Sequence, residues 1–159
     1  MANMNEDFLN DIREGNVTKV EKKVQQNPEL IGLKDQRGST PLILATYYNQ
    51  FDIAQLLLNQ GAGVDEVDGA GNTALMGVCF KGYDQLAELL VENGANVNHR
   101  NAMGGTSLIY AATFKRPEIA KLLLANGADK SVKDNRGQTA LDHAKLQGSD
   151  ELVQLLERD

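Results

Sequence analysis

The sequence is poor in the residues that stabilise many small proteins. Tryptophan is absent, and four tyrosines and four phenylalanines are the whole aromatic content of 159 residues. Aliphatic side chains and alanine must therefore form most of any core. The single cysteine, Cys79, excludes an internal disulfide bond, which fits a reducing compartment. No apolar run reaches the ~18 residues that suggest a membrane-spanning helix, so we expect no membrane association.

Positive charge is also scarce. Sixteen Lys and Arg residues stand against 22 Asp and Glu residues, which gives a net charge of −6. This balance argues against nucleic-acid and anionic-membrane partners. The N-terminal stretch MANMNEDFLNDIREG has no basic segment followed by an apolar one. We therefore expect no secretory signal and a cytoplasmic location.

A repeat of 33 residues runs through most of the chain. Thr40, Thr73, Thr106 and Thr139 follow one another at this spacing. Other residues keep the same interval, namely Leu42, Leu75, Leu108 and Leu141, then Leu57, Leu90, Leu123 and Leu156, then the pairs Gly61-Ala62, Gly94-Ala95 and Gly127-Ala128. Several features with one period over four units indicate a repeat protein.

Each unit predicts the same local structure. A turn comes first, as in DQRGST, DGAGNT, NAMGGT and DNRGQT. The threonine then caps a short helix through its hydroxyl group, and Pro41 suits the first helical position. A second helix carries an apolar stripe such as IAQLLL or LAELLV. Gly61, Gly94 and Gly127 end it, and we expect them in the left-handed conformation.

This pattern resembles the ankyrin repeat, whose period and T-P-L-H-x-A signature match these units. The resemblance implies an all-α solenoid of stacked helix-turn-helix units with short β-hairpin-like turns. One departure is visible, because the signature histidine is missing from every unit. Its positions hold Ile43, Met76, Ile109 and Asp142.

We interpret the chain as a single domain of five units. Residues 5–37 form a degenerate N-terminal capping unit, in which Asp7 is the expected helix cap. Residues 38–70, 71–103 and 104–136 form full units, and residues 137–159 form a C-terminal capping unit. Pro28 stands where the other units have glycine, so its turn must differ.

The repeat framework leaves the turn tips and the ends of the first helices for function. The predicted partner-binding residues are Arg37, Tyr47, Tyr48, Phe80, Lys81, Arg100, Met103, Phe114 and Arg136. A row of aromatic side chains on a concave surface is typical of a binding hot spot. Alternatively, Tyr47 and Phe80 pack under the neighbouring hairpin.

Charge divides the repeat into two surfaces. Acidic residues recur on the second helices, whereas basic residues recur at the turns. We therefore expect a monomer that binds a partner protein with an acidic patch; the alternative is a solvated surface of mixed charge. The resulting hypothesis is a non-catalytic protein–protein interaction module.

Little in the sequence suggests catalysis or a cofactor. Cys79 falls at a packing position of a first helix, so a buried thiol is the first interpretation and a redox sensor or stress-defence factor is the alternative. His143 is expected to make a structural hydrogen bond near Tyr110, and with His99 it is too little for a zinc site. We therefore expect no enzyme activity, no metal and no cofactor.

A narrower resemblance rests on the strings ATYYNQ, GVCFKGY and AATFKRPEI. They resemble successive units of small bacterial ankyrin proteins, some of which are encoded next to catalases. Tyr48, Phe80, Lys81, Phe114 and Arg116 carry this likeness. The resemblance implies a bacterial protein connected with oxidative-stress defence.

Overall fold

The computed structural model describes residues 3–158, which form ten α-helices and one short 3-10 helix. The inner helix of each unit comes first in the chain, and these are α1 (Met4–Glu14), α3 (Pro41–Tyr47), α5 (Ala74–Lys81), α7 (Ser107–Thr113) and α9 (Ala140–Leu146). The outer helices are α2 (Val17–Gln26), α4 (Phe51–Asn59), α6 (Asp84–Glu92), α8 (Pro117–Ala125) and α10 (Asp150–Glu157). The 3-10 helix, Pro28–Gly32, follows α2.

The helix pairs stack side by side in chain order. Inner helices contact the next inner helix, and outer helices contact the next outer helix. The starts of the inner helices from α3 to α9, and of the outer helices from α4 to α10, are spaced by 33 residues. Inner helices contact one another more extensively than outer helices do. The stack therefore curves with its inner helices on the concave side, and the predicted all-α repeat solenoid is confirmed.

Threonine hydroxyl groups begin the last four inner helices, as predicted. The hydroxyl oxygens of Thr40, Thr73, Thr106 and Thr139 accept the N–H groups of Ile43, Met76, Ile109 and Asp142 at 3.2–3.3 Å. In the last unit, the Asp142 carboxylate also accepts the N–H of Thr139 at 2.9 Å, which completes a capping box. The residue at the missing-histidine position thus supplies a second cap there.

Replacing Thr139 with alanine is expected to lower the free energy of unfolding by about 1 kcal/mol, because the Asp142 N–H loses its acceptor. Urea denaturation followed by circular dichroism measures this loss. Thr139→Ser keeps the oxygen and serves as the control, since Thr139 is only partly buried. An equal loss in both variants would contradict the capping role.

Small and aliphatic side chains fill the space between the helices. Alanines of both helix sets are fully buried, namely Ala45, Ala54, Ala87, Ala111, Ala120 and Ala144. The leucines of the outer helices at the 33-residue period are also buried, namely Leu57, Leu90, Leu123 and Leu156. Alanine lets neighbouring helices approach closely, and leucine then fills the remaining gap, which is how a core forms with few aromatic side chains.

The turns form a second stack at one edge of the solenoid. Asp35, Asp68, Asn101 and Asp134 occupy the same place in successive turns, and one side-chain oxygen of each accepts two backbone N–H groups of its own turn. Consecutive turns bond to each other, for example from the Gly69 N–H to the Arg37 carbonyl at 2.9 Å. Gly38 has a φ of 81°, and a Cβ there would lie 2.9 Å from the Gly69 nitrogen.

The N-terminal unit departs from the sequence prediction. Asn3 caps α1 by accepting the N–H of Asn5, whereas Asp7 lies inside the helix. The predicted Asp7 cap is therefore wrong, because α1 is longer than the inner helices that follow. The different turn expected at Pro28 is confirmed, since the 3-10 helix begins there. The expected left-handed glycines are confirmed as well, with φ values of 95°, 87° and 88° at Gly61, Gly94 and Gly127.

Candidate functional site

A groove of about 650 Å³ runs along the concave side of the first three inner helices and their turns. Its floor comes from α3 and α5, and its rim comes from the turns around Asp35 and Asp68. Phe114, just after α7, reaches it from one end, and α1 contributes Arg13 from the other. The groove is the concave cavity that the curvature of the stack creates.

Aromatic rings form a strip along this groove, consisting of Tyr47, Tyr48, Phe80 and Phe114. The rings of Tyr47 and Tyr48 meet edge to face with centroids 5.6 Å apart, and those of Phe80 and Phe114 do so at 4.8 Å. The Lys81 ammonium lies 4.3 Å from the centroid of the Tyr47 ring. It lies 6.0 Å from the Phe80 centroid as well, near the ends of α3 and α5.

The side chains of the strip differ in exposure. Tyr47, Tyr48 and Phe80 remain 38%, 44% and 43% exposed. The alternative in which Tyr47 and Phe80 pack under the neighbouring hairpin is therefore wrong. Phe114 is half-buried, because it packs against Phe80 on one side and stacks on Tyr110 at 6.2 Å on the other. Phe114 therefore packs against the other rings and offers a partner less exposed surface than they do.

The predicted turn-tip residues do not lie together. Arg37 is exposed and lines the groove. Met103 and Arg136 are exposed at later turn tips and do not line it. The Arg100 guanidinium donates to the carbonyls of Gly104 at 3.2 Å and Lys133 at 2.8 Å. Arg100 therefore ties two consecutive turns together.

Several groove residues were missed by the sequence interpretation. Ile43 and Met76, at the positions of the absent histidine, line the groove together with Gly77. Arg13 of α1 lies 3.4 Å from the Glu6 carboxylate and 4.0 Å from that of Asp35. The degenerate N-terminal unit hid Glu6 and Arg13, and the 33-residue register aligns Gly77 with Leu44, which is buried.

Side-chain bonds between helix and turn recur in the last two units. The Asn101 amide donates to the Tyr110 hydroxyl, and His143 Nε2 lies 2.8 Å from the second oxygen of Asp134. The expected structural hydrogen bond of His143 thus exists, but its partner is Asp134 in the turn before α9 and not Tyr110 of α7. Burial alone would raise the pKa of Asp134, yet the His143 bond and two backbone N–H groups hold that pKa below its usual value.

Both histidines hydrogen-bond to the turns through Nε2. His99 Nε2 lies 3.0 Å from the Gly71 carbonyl, which links two neighbouring turns. Among residues 3–158, no cluster of three or more His, Cys, Asp or Glu side chains could hold a metal ion. Over the same part of the chain, no helix combines the length and apolar character that crossing a membrane requires.

The Cys79 thiol lies inside the core. It is fully buried on α5, and burial raises its pKa to about 12, although Ser107 and Arg116 act in the opposite direction. Only the thiolate is nucleophilic, and a pKa this high leaves very little of it near neutral pH. The predicted buried packing position is confirmed.

Alkylation of Cys79 by iodoacetamide is expected to be at least about 100-fold slower in the native protein than in urea, because both access and thiolate are lacking. Mass spectrometry of timed samples at pH 8 measures the two rates. Comparable rates would show that the thiol opens to solvent, and would support the redox interpretation.

The concave groove, the capped helix pairs and the stacked turns define a helical repeat solenoid. A family model described as ankyrin repeats, three copies, matches residues 12–101, 61–134 and 99–159. Together these matches span most of the sequence, and the chain belongs to the ankyrin-repeat family. Ankyrin repeats are in general protein–protein interaction modules and are typically not enzymes.

Proposed function

We propose that this protein is a non-catalytic module that binds a partner protein through the groove, with the aromatic strip at its centre. The observation that carries the proposal is the exposure of Tyr47, Tyr48 and Phe80 inside a concave groove. Tyrosine and phenylalanine bury much area at a small cost in side-chain entropy. A groove that holds three such rings partly exposed offers a partner the anchor points typical of a hot spot.

Exposed basic residues at the turns support part of the expectation that the partner carries an acidic patch. Arg37 is exposed beside the aromatic strip, and Arg136 is exposed at a turn tip further along. We propose that these side chains meet an acidic stretch of the partner. Such exposed charges change the rate of association and its salt dependence more than they change affinity. The outer helices present Asp52, Glu88 and Glu118 to solvent and would repel the same stretch.

Site-specific photocrosslinking in cells of the source organism tests this proposal. A benzophenone amino acid placed at Tyr48 samples the groove, and the same residue placed at Gln55 samples the exposed side of α4. We expect a protein to be crosslinked from position 48 and not from position 55. Crosslinking of the same protein from position 55 alone would move the binding surface to the outer helices and contradict the proposal.

The alternative function is a thiol-based redox sensor or stress-defence factor that uses Cys79. Full burial and a raised pKa oppose it, because a sensing cysteine is usually an accessible thiolate. The resemblance to bacterial proteins encoded beside catalases is the feature that favours a stress connection. A binding module could itself serve such a role without any thiol chemistry.

A further inference from the structure

The polar bond between turn and inner helix is present in two units and missing from the two before them. In the fourth and fifth units, Tyr110 and His143 fill the fourth position of the inner helix and bond to the side chain of the turn that precedes that helix. The matching positions of the second and third units are Leu44 and Gly77. Leucine and glycine have no side-chain group that could donate a hydrogen bond to Asp35 or Asp68.

In the third unit, the space that a side chain fills in the two later units stays open, and this space above Gly77 is the vacancy. A Cβ built on Gly77 meets no heavy atom within 4 Å among the described residues, apart from its two chain neighbours and the nearby backbone of its own helix. Asp68 uses one carboxylate oxygen for the N–H groups of Ala70 and Asn72, as Asp134 does in its own turn. The second oxygen, which in Asp134 bonds to His143, receives no hydrogen bond or ion pair from residues 3–158 in Asp68. Asp35 differs, because Arg13 lies 4.0 Å from it.

Apolar and aromatic side chains line the same groove as this space. Asp68 and Gly77 both line the groove, together with Met76, Tyr47 and Phe80. A donor entering above Gly77 would therefore reach a half-buried carboxylate while its carbon atoms lie against rings. Lysine and arginine have this combination of a long apolar stem and a charged head.

We propose that the space above Gly77 receives a lysine or arginine side chain of the bound partner, whose charged head bonds to the second oxygen of Asp68. This inference rests on the proposed function, and names the residue type that the centre of the groove selects. The partner's donor takes the place that Tyr110 and His143 hold in their own units. A cation is favoured over a neutral donor because a hydrogen bond between two charged groups is stronger.

Two substitutions isolate this contact, and the protein itself supplies their precedents. Asp68→Asn removes the charge and keeps the turn, since Asn101 accepts the same two backbone N–H groups in the next unit. Gly77→His places in the vacancy the side chain that the last unit carries, and should bond to Asp68 internally. Glu88→Gln is the control, because it removes the same charge from an exposed position on α6.

Selection of linear peptides from a random phage-displayed library on the wild-type protein provides the probe. We expect the selected peptides to share a lysine or arginine, whose replacement by glutamine weakens binding roughly tenfold or more. Asp68→Asn and Gly77→His should each weaken the original peptide by a similar factor, and Glu88→Gln by less than about twofold. In a double-mutant cycle, Asp68→Asn should have little further effect on the glutamine peptide.

Two results would overturn the inference. Selected peptides without a shared basic residue would do so, as would a basic residue whose contribution survives Asp68→Asn. If those peptides still lose affinity when Tyr48 and Phe80 are replaced by alanine, the groove remains the binding site and only the proposed cation contact fails. If affinity is unchanged in that variant as well, the proposed function fails too.

Discussion

Replacing Leu90 with alanine is expected to lower the free energy of unfolding by about 3 kcal/mol. Leu90 is fully buried on α6, in the middle unit of the stack, and α6 packs against α4, α5 and α8. Removing three carbon atoms there leaves a cavity that rigid neighbouring helices cannot close. In a solenoid each unit contacts only its neighbours, so a defect in the middle weakens two interfaces at once.

Leu146→Ala is the matched control for this experiment. Leu146 remains 67% exposed at the end of α9, so its truncation should change the free energy of unfolding by less than about 0.5 kcal/mol. Urea denaturation of both variants under one set of conditions gives the comparison. Equal effects at the two positions would contradict the assignment of the repeated leucines to a continuous core.

The double substitution Tyr48→Ala with Phe80→Ala is expected to weaken partner binding by about 100-fold or more. Both rings are more than two-fifths exposed in the groove, so a partner can bury them further. The same exposure limits their contribution to the fold, and we expect the free energy of unfolding to fall by no more than about 1 kcal/mol. Isothermal titration with the crosslinked partner measures the affinity.

Gln55→Ala with Glu88→Ala is the control pair for binding, because both side chains are exposed on the outer helices. Their loss should change affinity less than about twofold. Phe114 is unsuitable for truncation, since it packs on Phe80 and Tyr110 and its removal would disturb both rings. A double mutant of Tyr48 and Phe80 that binds as tightly as wild type would place the hot spot elsewhere.

The sequence was a reliable guide wherever one physical requirement recurs in every unit. Threonine before each of the last four inner helices reflects unpaired N–H groups, and glycine after three outer helices reflects a left-handed backbone. These local requirements repeat every 33 residues, so the interpretation of one unit can be checked against the sequence of the next. The cap of α1 was misplaced because the first unit is degenerate and supplies no such check.

The site was less predictable than the fold because it depends on what side chains do across units. Arg100 matched the predicted basic turn tip, but its guanidinium is held by two carbonyl groups. Gly77 carried no functional signal in the sequence, since the role proposed for it depends on the Asp68 carboxylate and on side chains of other helices. Phe114 fell at the predicted position, yet its ring packs against Phe80 and Tyr110 and is half-buried.

Chemical-shift mapping of the bound partner on isotope-labelled protein tests the central claim most directly. The account predicts that backbone amides of α3, of α5 and of the turn around Asp68 shift on titration, while those of α4, α6 and α8 stay in place. Shifts confined to the outer helices would contradict binding through the groove.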